Sequence, residues 1–152
     1  MLEFKITADP DLEKTLMHLS IRAAADVAEK ALWTAMQPAV QCMTMYAEPS
    51  RRTGTLIKSL GIKLRRYRGG KVVLALAGPV SGIVGPHGEK PTHYAHLVEF
   101  GHMTKRGKVG ARPFMTPAWE ATKDQVLQIA SDEFGMGVEQ LVRQRQAARS
   151  AA

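Results

Sequence analysis

Ile62-Lys63-Leu64-Arg65-Arg66-Tyr67-Arg68-Gly69-Gly70-Lys71-Val72-Val73-Leu74-Ala75-Leu76-Ala77 is the stretch that decides the fold. Apolar Ile62 and Leu64 alternate with Lys63 and Arg65, the two-residue period of a half-buried strand, and Val72 to Ala77 resumes in strand-like composition. Gly69-Gly70 stands between the two runs. The favoured two-residue hairpin turns need positive φ at both central positions, which glycine adopts without steric cost. A hairpin is therefore expected here, and it is strongly basic, with no acid anywhere between Glu48 and Glu89.

Upstream, Leu2 to Ile6 alternates like an edge or pairing strand, and Asp9-Pro10-Asp11 supplies a cap, a first-turn proline and an acid for a helix start. Leu12, Leu16, Leu19, Ala23, Val27 and Ala31 recur at helical steps, and good helix formers continue to Tyr46. Pro38 is expected to kink or divide this helix, since it cannot donate to the preceding turn. Thr53 to Gly61 reads as one or two further helical turns, with Thr53 as cap and Gly61 as stop.

Downstream, Gly78 to Thr92 reads as a long loop, Tyr94 to Phe100 as a helical turn or strand, and Gly101 to Gly110 as a second basic loop. Thr116-Pro117 opens a helix over Ala118 to Phe134, with Ala121, Leu127, Ala130 and Phe134 expected inward. Gly135 and Gly137 are expected to interrupt it before a polar helical tail.

The chain's 152 residues are 45% hydrophobic and 23% charged, which suits one globular domain with tails. Its net charge of +7 is concentrated: Pro49 to Trp119 holds 13 basic and two acidic residues, and the flanking segments are slightly acidic. Such asymmetry points to a polyanion or an acidic partner. No apolar run approaches the roughly 20 residues that cross a bilayer, and Met1-Leu2-Glu3-Phe4-Lys5 lacks a basic region followed by an apolar one, so no membrane or secretory address is expected. The single Cys42 excludes an internal disulfide framework and a Cys-based zinc site.

Three enzyme-like patterns fail on spacing. His93, His96, Glu99 and His102 recur every three residues, but a step of three walks round a 3.6-residue helix, so the four cannot converge on one metal; no metal or other cofactor is expected. Cys42 has no histidine nearby in sequence, and no serine sits in a Gly-x-Ser-x-Gly elbow. Gly78, Gly82 and Gly85 match neither the phosphate loop nor the dinucleotide fingerprint. The basic stretch suits phosphate contact without sequence readout, or a solvated, charge-protected edge; Tyr67 alone interleaves it, so a base-stacking surface is not expected.

Taken in order, Pro49-x3-Thr53-Gly54-x-Leu56-x2-Ser59-Leu60, the basic hairpin, Tyr94-Ala95-x2-Val98-Glu99-Phe100-Gly101 and Ala111-Arg112-Pro113-Phe114-Met115-x-Pro117-Ala118 resemble the tail-component and tail-completion (head–tail joining) proteins of long-tailed bacteriophages. His102 departs from the small hydroxyl residue this family carries after Glu-Phe-Gly.

The resemblance implies an α+β fold: a small antiparallel sheet with a basic hairpin, packed against a long N-terminal helix and a C-terminal helix. It implies one domain over residues 1–137 with 138–152 as a helical tail. It further implies a structural, non-enzymatic virion protein made in the host cytoplasm. Copies would form a ring, expected to be a hexamer, at the head–tail junction. Expected partners are the head-connector and tail-tube or tail-terminator proteins, with genomic DNA passing through the lumen unread.

The residues expected to face DNA or a partner are Arg51, Arg52, Lys63, Arg65, Arg66, Arg68, Lys71, Lys105, Arg106 and Lys108. Thr53, Gly54, Leu56, Tyr94, Glu99, Phe100, Gly101, Arg112, Pro113, Phe114 and Pro117 carry the family signature as structural or interface residues. Phe114, Met115 and Trp119 are candidates for packing, and an Arg112–Glu99 ion pair would tie two blocks together. The alternative function is a free-standing basic module binding duplex backbone without sequence specificity.

Overall fold

The computed structural model describes residues 21–50 and 53–150. The strand expected over Leu2–Ile6, the helix start at Asp9-Pro10, and Arg51 and Arg52 lie outside them. Helix α1 (Ile21–Ala47) and a 3-10 turn (Glu48–Ser50) precede the short α2 (Thr55–Ser59). Strands β1 (Leu60–Tyr67) and β2 (Val72–Pro79) follow, joined by a 3-10 turn at Arg68–Gly70. After a loop come α3 (Pro91–Phe100), β3 (His102–Thr104), β4 (Gly107–Val109) and α4 (Met115–Ser150). The strands form two separate two-stranded sheets, β1-β2 and β3-β4, so the architecture is α+β. Among the described residues no helix is long and apolar enough to cross a membrane.

The chain is woven into two compact units. Of the described residues, the first comprises 21–35, Leu64–Leu76 and 127–150; the second comprises 36–50, 53–63 and Ala77–Val126. In the first unit, Ala25, Ala31, Leu32 and Ala35 of α1 are buried together with Ala75 of β2 and with Ala130 and Val138 of α4. The hairpin turn lies on the start of α1, where a side chain on Gly70 would meet Ala25 and Ile21 at 3.5 and 3.6 Å. A Cβ on Gly137 would stand 2.4 Å from Val27 Cγ1, so α4 approaches α1 through a position with no side chain.

In the second unit, Met43 and Ala47 of α1, Leu56 of α2, Ala95 of α3, and Phe114 and Ala118 form the core cluster. Phe114 is wholly buried. Cys42, Ile57, Leu60, Tyr94, Val98 and Met115 pack against this cluster.

Several expectations change. Pro38 sits inside one continuous helix and does not divide it. The hairpin forms around Gly69 and Gly70, both at positive φ, but its turn is longer than two residues and draws in Arg68 at φ 51. Tyr94 to Phe100 is helical, with Pro91 at the first position, where its missing N–H leaves no bond unmade. The supposed loop Gly101–Gly110 contains a second hairpin, with His102, Met103 and Thr104 opposite Val109, Lys108 and Gly107. Helix α4 continues through Gly135 and Gly137. Its inward positions are Ala118, Thr122, Val126 and Ala130, whereas Ala121 and Leu127 are exposed. Thr122 is buried because its hydroxyl donates to the Ala118 carbonyl at 2.7 Å, which satisfies the polar atom inside the helix.

Candidate functional site

Glu99 lies in the last turn of α3, and α4 begins at Met115 with backbone N–H groups that no earlier turn can accept. The Glu99 carboxylate takes them. Oε2 accepts from the amides of Phe114 (2.7 Å) and Met115 (3.0 Å), while Oε1 accepts from the Thr116 amide (2.9 Å) and hydroxyl (2.7 Å). Glu99 is only 2% exposed. Burial is the largest single influence and pushes its carboxyl upward, but the three amides and the hydroxyl together outweigh it, so the group is held below its ordinary value. A negative charge at the positive end of a long helix is favoured on the same grounds.

Gly101 makes the turn after Glu99 and Phe100. Its φ of 73° and ψ of 170° lie in a region that side chains avoid. A Cβ there would come within 2.7 Å of the Val109 carbonyl oxygen and 2.8 Å of the Ala111 nitrogen. Next to it, the Arg112 amide donates to the Val98 carbonyl at 2.8 Å, and Arg112 Nη1 reaches the Pro49 carbonyl at 3.3 Å. The Arg112–Glu99 ion pair expected from sequence is absent among the described residues, because Glu99 is saturated by α4 and Arg112 is turned toward Pro49.

The signature blocks thus meet around one buried carboxylate and one buried ring. Leu56 and Phe114 share the core with Tyr94 against it, buried Gly54 precedes α2, and Pro117 lies in the first turn of α4. Thr53 hydrogen-bonds Thr55 through their hydroxyls at 2.7 Å. Pro113 and Phe100 are exposed.

The basic residues differ in their immediate surroundings. On β1, Lys63, Arg65 and Tyr67 share the outer face by the two-residue alternation, and all three are exposed. Arg66 points the other way. Its Nη2 lies 2.7 Å from Asp26 and 2.6 Å from Glu29, both on α1. The hydrogen bond from Arg66 is the main cause of the lowered Glu29 carboxyl, and the same pairing raises the Arg66 guanidinium. Arg68 and Lys71 are exposed at the turn, and Lys105, Arg106 and Lys108 are exposed on the β3-β4 hairpin. Sequence reasoning missed the partners of Arg66, although Asp26 and Glu29, three apart on a helix, present one acidic face.

His93 and His96 are exposed while Glu99 is buried in its capping role. Among the described residues no three His, Cys, Asp or Glu side chains are grouped to hold a metal ion. A cavity of about 320 Å³ in the first unit is lined by Lys30, Glu133, Gln140 and alkyl side chains, together with Asp26, already engaged by Arg66.

The family model described as "Bacteriophage HK97-gp10, putative tail-component" matches residues 11–101, more than half of the chain. The matched span ends at Gly101, so it includes the carboxylate of the clamp but not the helix that the clamp caps. Neither the curated proteins nor the solved structures yield a match.

Proposed function

This chain belongs to the bacteriophage HK97-gp10 tail-component family, and from that premise we propose that it is a structural virion protein whose copies close into a ring at the head–tail junction, around the channel that DNA passes. The family match is the observation that carries this reading. The subunit surface supports it: Phe100 and Met103, next in sequence to the buried clamp at Glu99, are each 74% exposed. Large apolar side chains left in water are stabilised by a covering surface. A closed ring supplies one, through head-to-tail contacts between two different patches on each subunit.

In this reading six copies assemble without any turnover, and the exposed Lys63, Arg65, Arg68 and Lys71, with Arg51 and Arg52, face the DNA lumen or an acidic neighbouring ring. Those neighbours are the head connector on one side and the tail-tube or tail-terminator protein on the other. Contacts to phosphate hold DNA without reading its sequence. Arg66 is excluded from that surface by Asp26 and Glu29.

Electron microscopy of the purified protein, combined with duplex-DNA titration at two salt concentrations, tests the reading. Rings with an open centre and little DNA affinity for the dissociated subunit are expected. A monomer with steeply salt-dependent duplex affinity would establish the alternative, a free-standing nucleic-acid-binding module using the Lys63–Arg65–Tyr67 face.

A further inference from the structure

We propose that the outer face of the β1-β2 hairpin docks an acidic, amphipathic segment of a neighbouring virion protein, with Tyr67, Val72 and Leu74 as its apolar centre and Arg65, Arg68 and Lys71 as its charged rim. This deepens the ring reading, on which it rests for the presence of such a neighbour, by deciding between an acidic protein and DNA. All six residues belong to the first unit. The register places them. At the open end of the hairpin the Val80 amide donates to the Ser59 carbonyl at 2.8 Å, and both strands have eight residues. Counting inward from that pair sets Arg65 opposite Leu74 and Tyr67 opposite Val72, and opposed residues project from the same side of a sheet. The other side holds Arg66 and Ala75. Arg66 is bound to Asp26 and Glu29 of α1, and Ala75 is 7% exposed, so this is the side turned to α1. On the side away from α1, Arg65 is exposed, Tyr67 and Val72 are 43% and 45% exposed, and Leu74 is half-buried. Arg68 and Lys71 flank them at the turn, both exposed.

Composition decides the partner. Phosphate contact needs cations alone and has no use for Tyr67, Val72 and Leu74 clustered among them. Tyrosine and arginine around an aliphatic centre are the residues that anchor protein interfaces. Arg65, Arg68 and Lys71 form no ion pair among the described residues, and no acid lies between Glu48 and Glu89 in sequence, so their charge is left for a partner. A second copy of this chain is the poorer match. It carries the same net charge of +7, and its Asp26, Glu29, Glu120 and Glu139 are already paired with its own cations.

Fluorescence anisotropy with the full chain and three labelled probes tests this: an amphipathic peptide with glutamates around a leucine stripe, polyglutamate, and duplex DNA. At about 150 mM salt, where exposed charge contacts are screened, the peptide is expected to bind at least about tenfold more tightly than either of the others. Tyr67→Ser with Val72→Ser is expected to bring the peptide down to the polyglutamate level with helical circular dichroism unchanged. Arg65→Glu leaves both of those side chains in place and is expected to weaken peptide binding about tenfold, which keeps the test decisive should the double variant fail to fold. Duplex binding as tight as the peptide's assigns the face to DNA and overturns the proposal, as does an absence of peptide binding or an affinity that neither variant lowers. The ring reading fails separately. A monomer by native mass spectrometry that still takes the peptide refutes the ring and keeps the face, whereas an intact ring that prefers the duplex refutes the face alone.

Discussion

Glu99 Oε1 receives both the amide and the hydroxyl of Thr116, at 2.9 and 2.7 Å, so a side chain from the end of α3 closes the first turn of α4. Four donors on one buried carboxylate make this the most heavily bonded side chain of the signature region. Glu99→Gln keeps the shape, removes the charge and turns an amide N–H₂ toward N–H donors. It should lower stability by about 2–4 kcal/mol, as expected when a buried charge-assisted network is broken. Urea denaturation measures the loss, and a change within about 0.5 kcal/mol, the range of ordinary surface substitutions, would remove the clamp from its structural role.

The clamp also sets a pH dependence. The folded-state carboxyl of Glu99 is lowered from its ordinary 4.5, so the unfolded chain takes up a proton first as pH falls. The stability it contributes is fully present above that value and is lost as pH drops through the lower folded value. Wild type should therefore lose stability on acidification below about pH 4.5, and the gap between wild type and Glu99→Gln should narrow over the same window. A gap that stays constant from pH 6 to pH 3 would contradict this.

Gly101→Ala places a methyl group against the Val109 and Ala111 backbone in a conformation reserved for glycine. A cost above about 2 kcal/mol is expected, together with chemical-shift changes across β3 and β4. Gly110→Ala, with nothing within 4 Å of the new carbon, should be nearly silent. Equal effects of the two in thermal denaturation would rule out the close approach at Gly101.

The two glycines inside α4 should respond oppositely. Gly135→Ala meets open space and should gain about 0.5–1 kcal/mol from helix propensity. Gly137→Ala runs into Val27 and should lose about 1–2 kcal/mol despite the same propensity gain. Val27→Ala in the Gly137→Ala background should recover part of that loss, which a double-mutant cycle measures.

The parts of this fold that were legible in sequence are those whose signals are local. Gly69-Gly70 between alternating runs marked the hairpin, and the stepwise apolar residues of α1 marked a helix that Pro38 does not divide. Strands β3 and β4 have three residues each, too few for alternation to register, and their glycines made the stretch resemble a loop. On α4, a buried threonine at 122 stands where an aliphatic residue would set the phase, so apolar spacing points Ala121 and Leu127 inward although both are exposed. The proline at 117 correctly signalled a helix start, but the cap itself comes from Glu99, 17 residues earlier than Thr116. A partner on another element leaves no local spacing to read. For the same reason an Arg112–Glu99 pairing looked natural, although the amides had already claimed the carboxylate.

Native mass spectrometry of the purified full-length chain at low ionic strength most directly tests whether this protein is the repeating subunit of a ring. One dominant closed species of six copies is predicted, dissociating without intermediates of larger size. A monomer that persists across the accessible concentration range would contradict it.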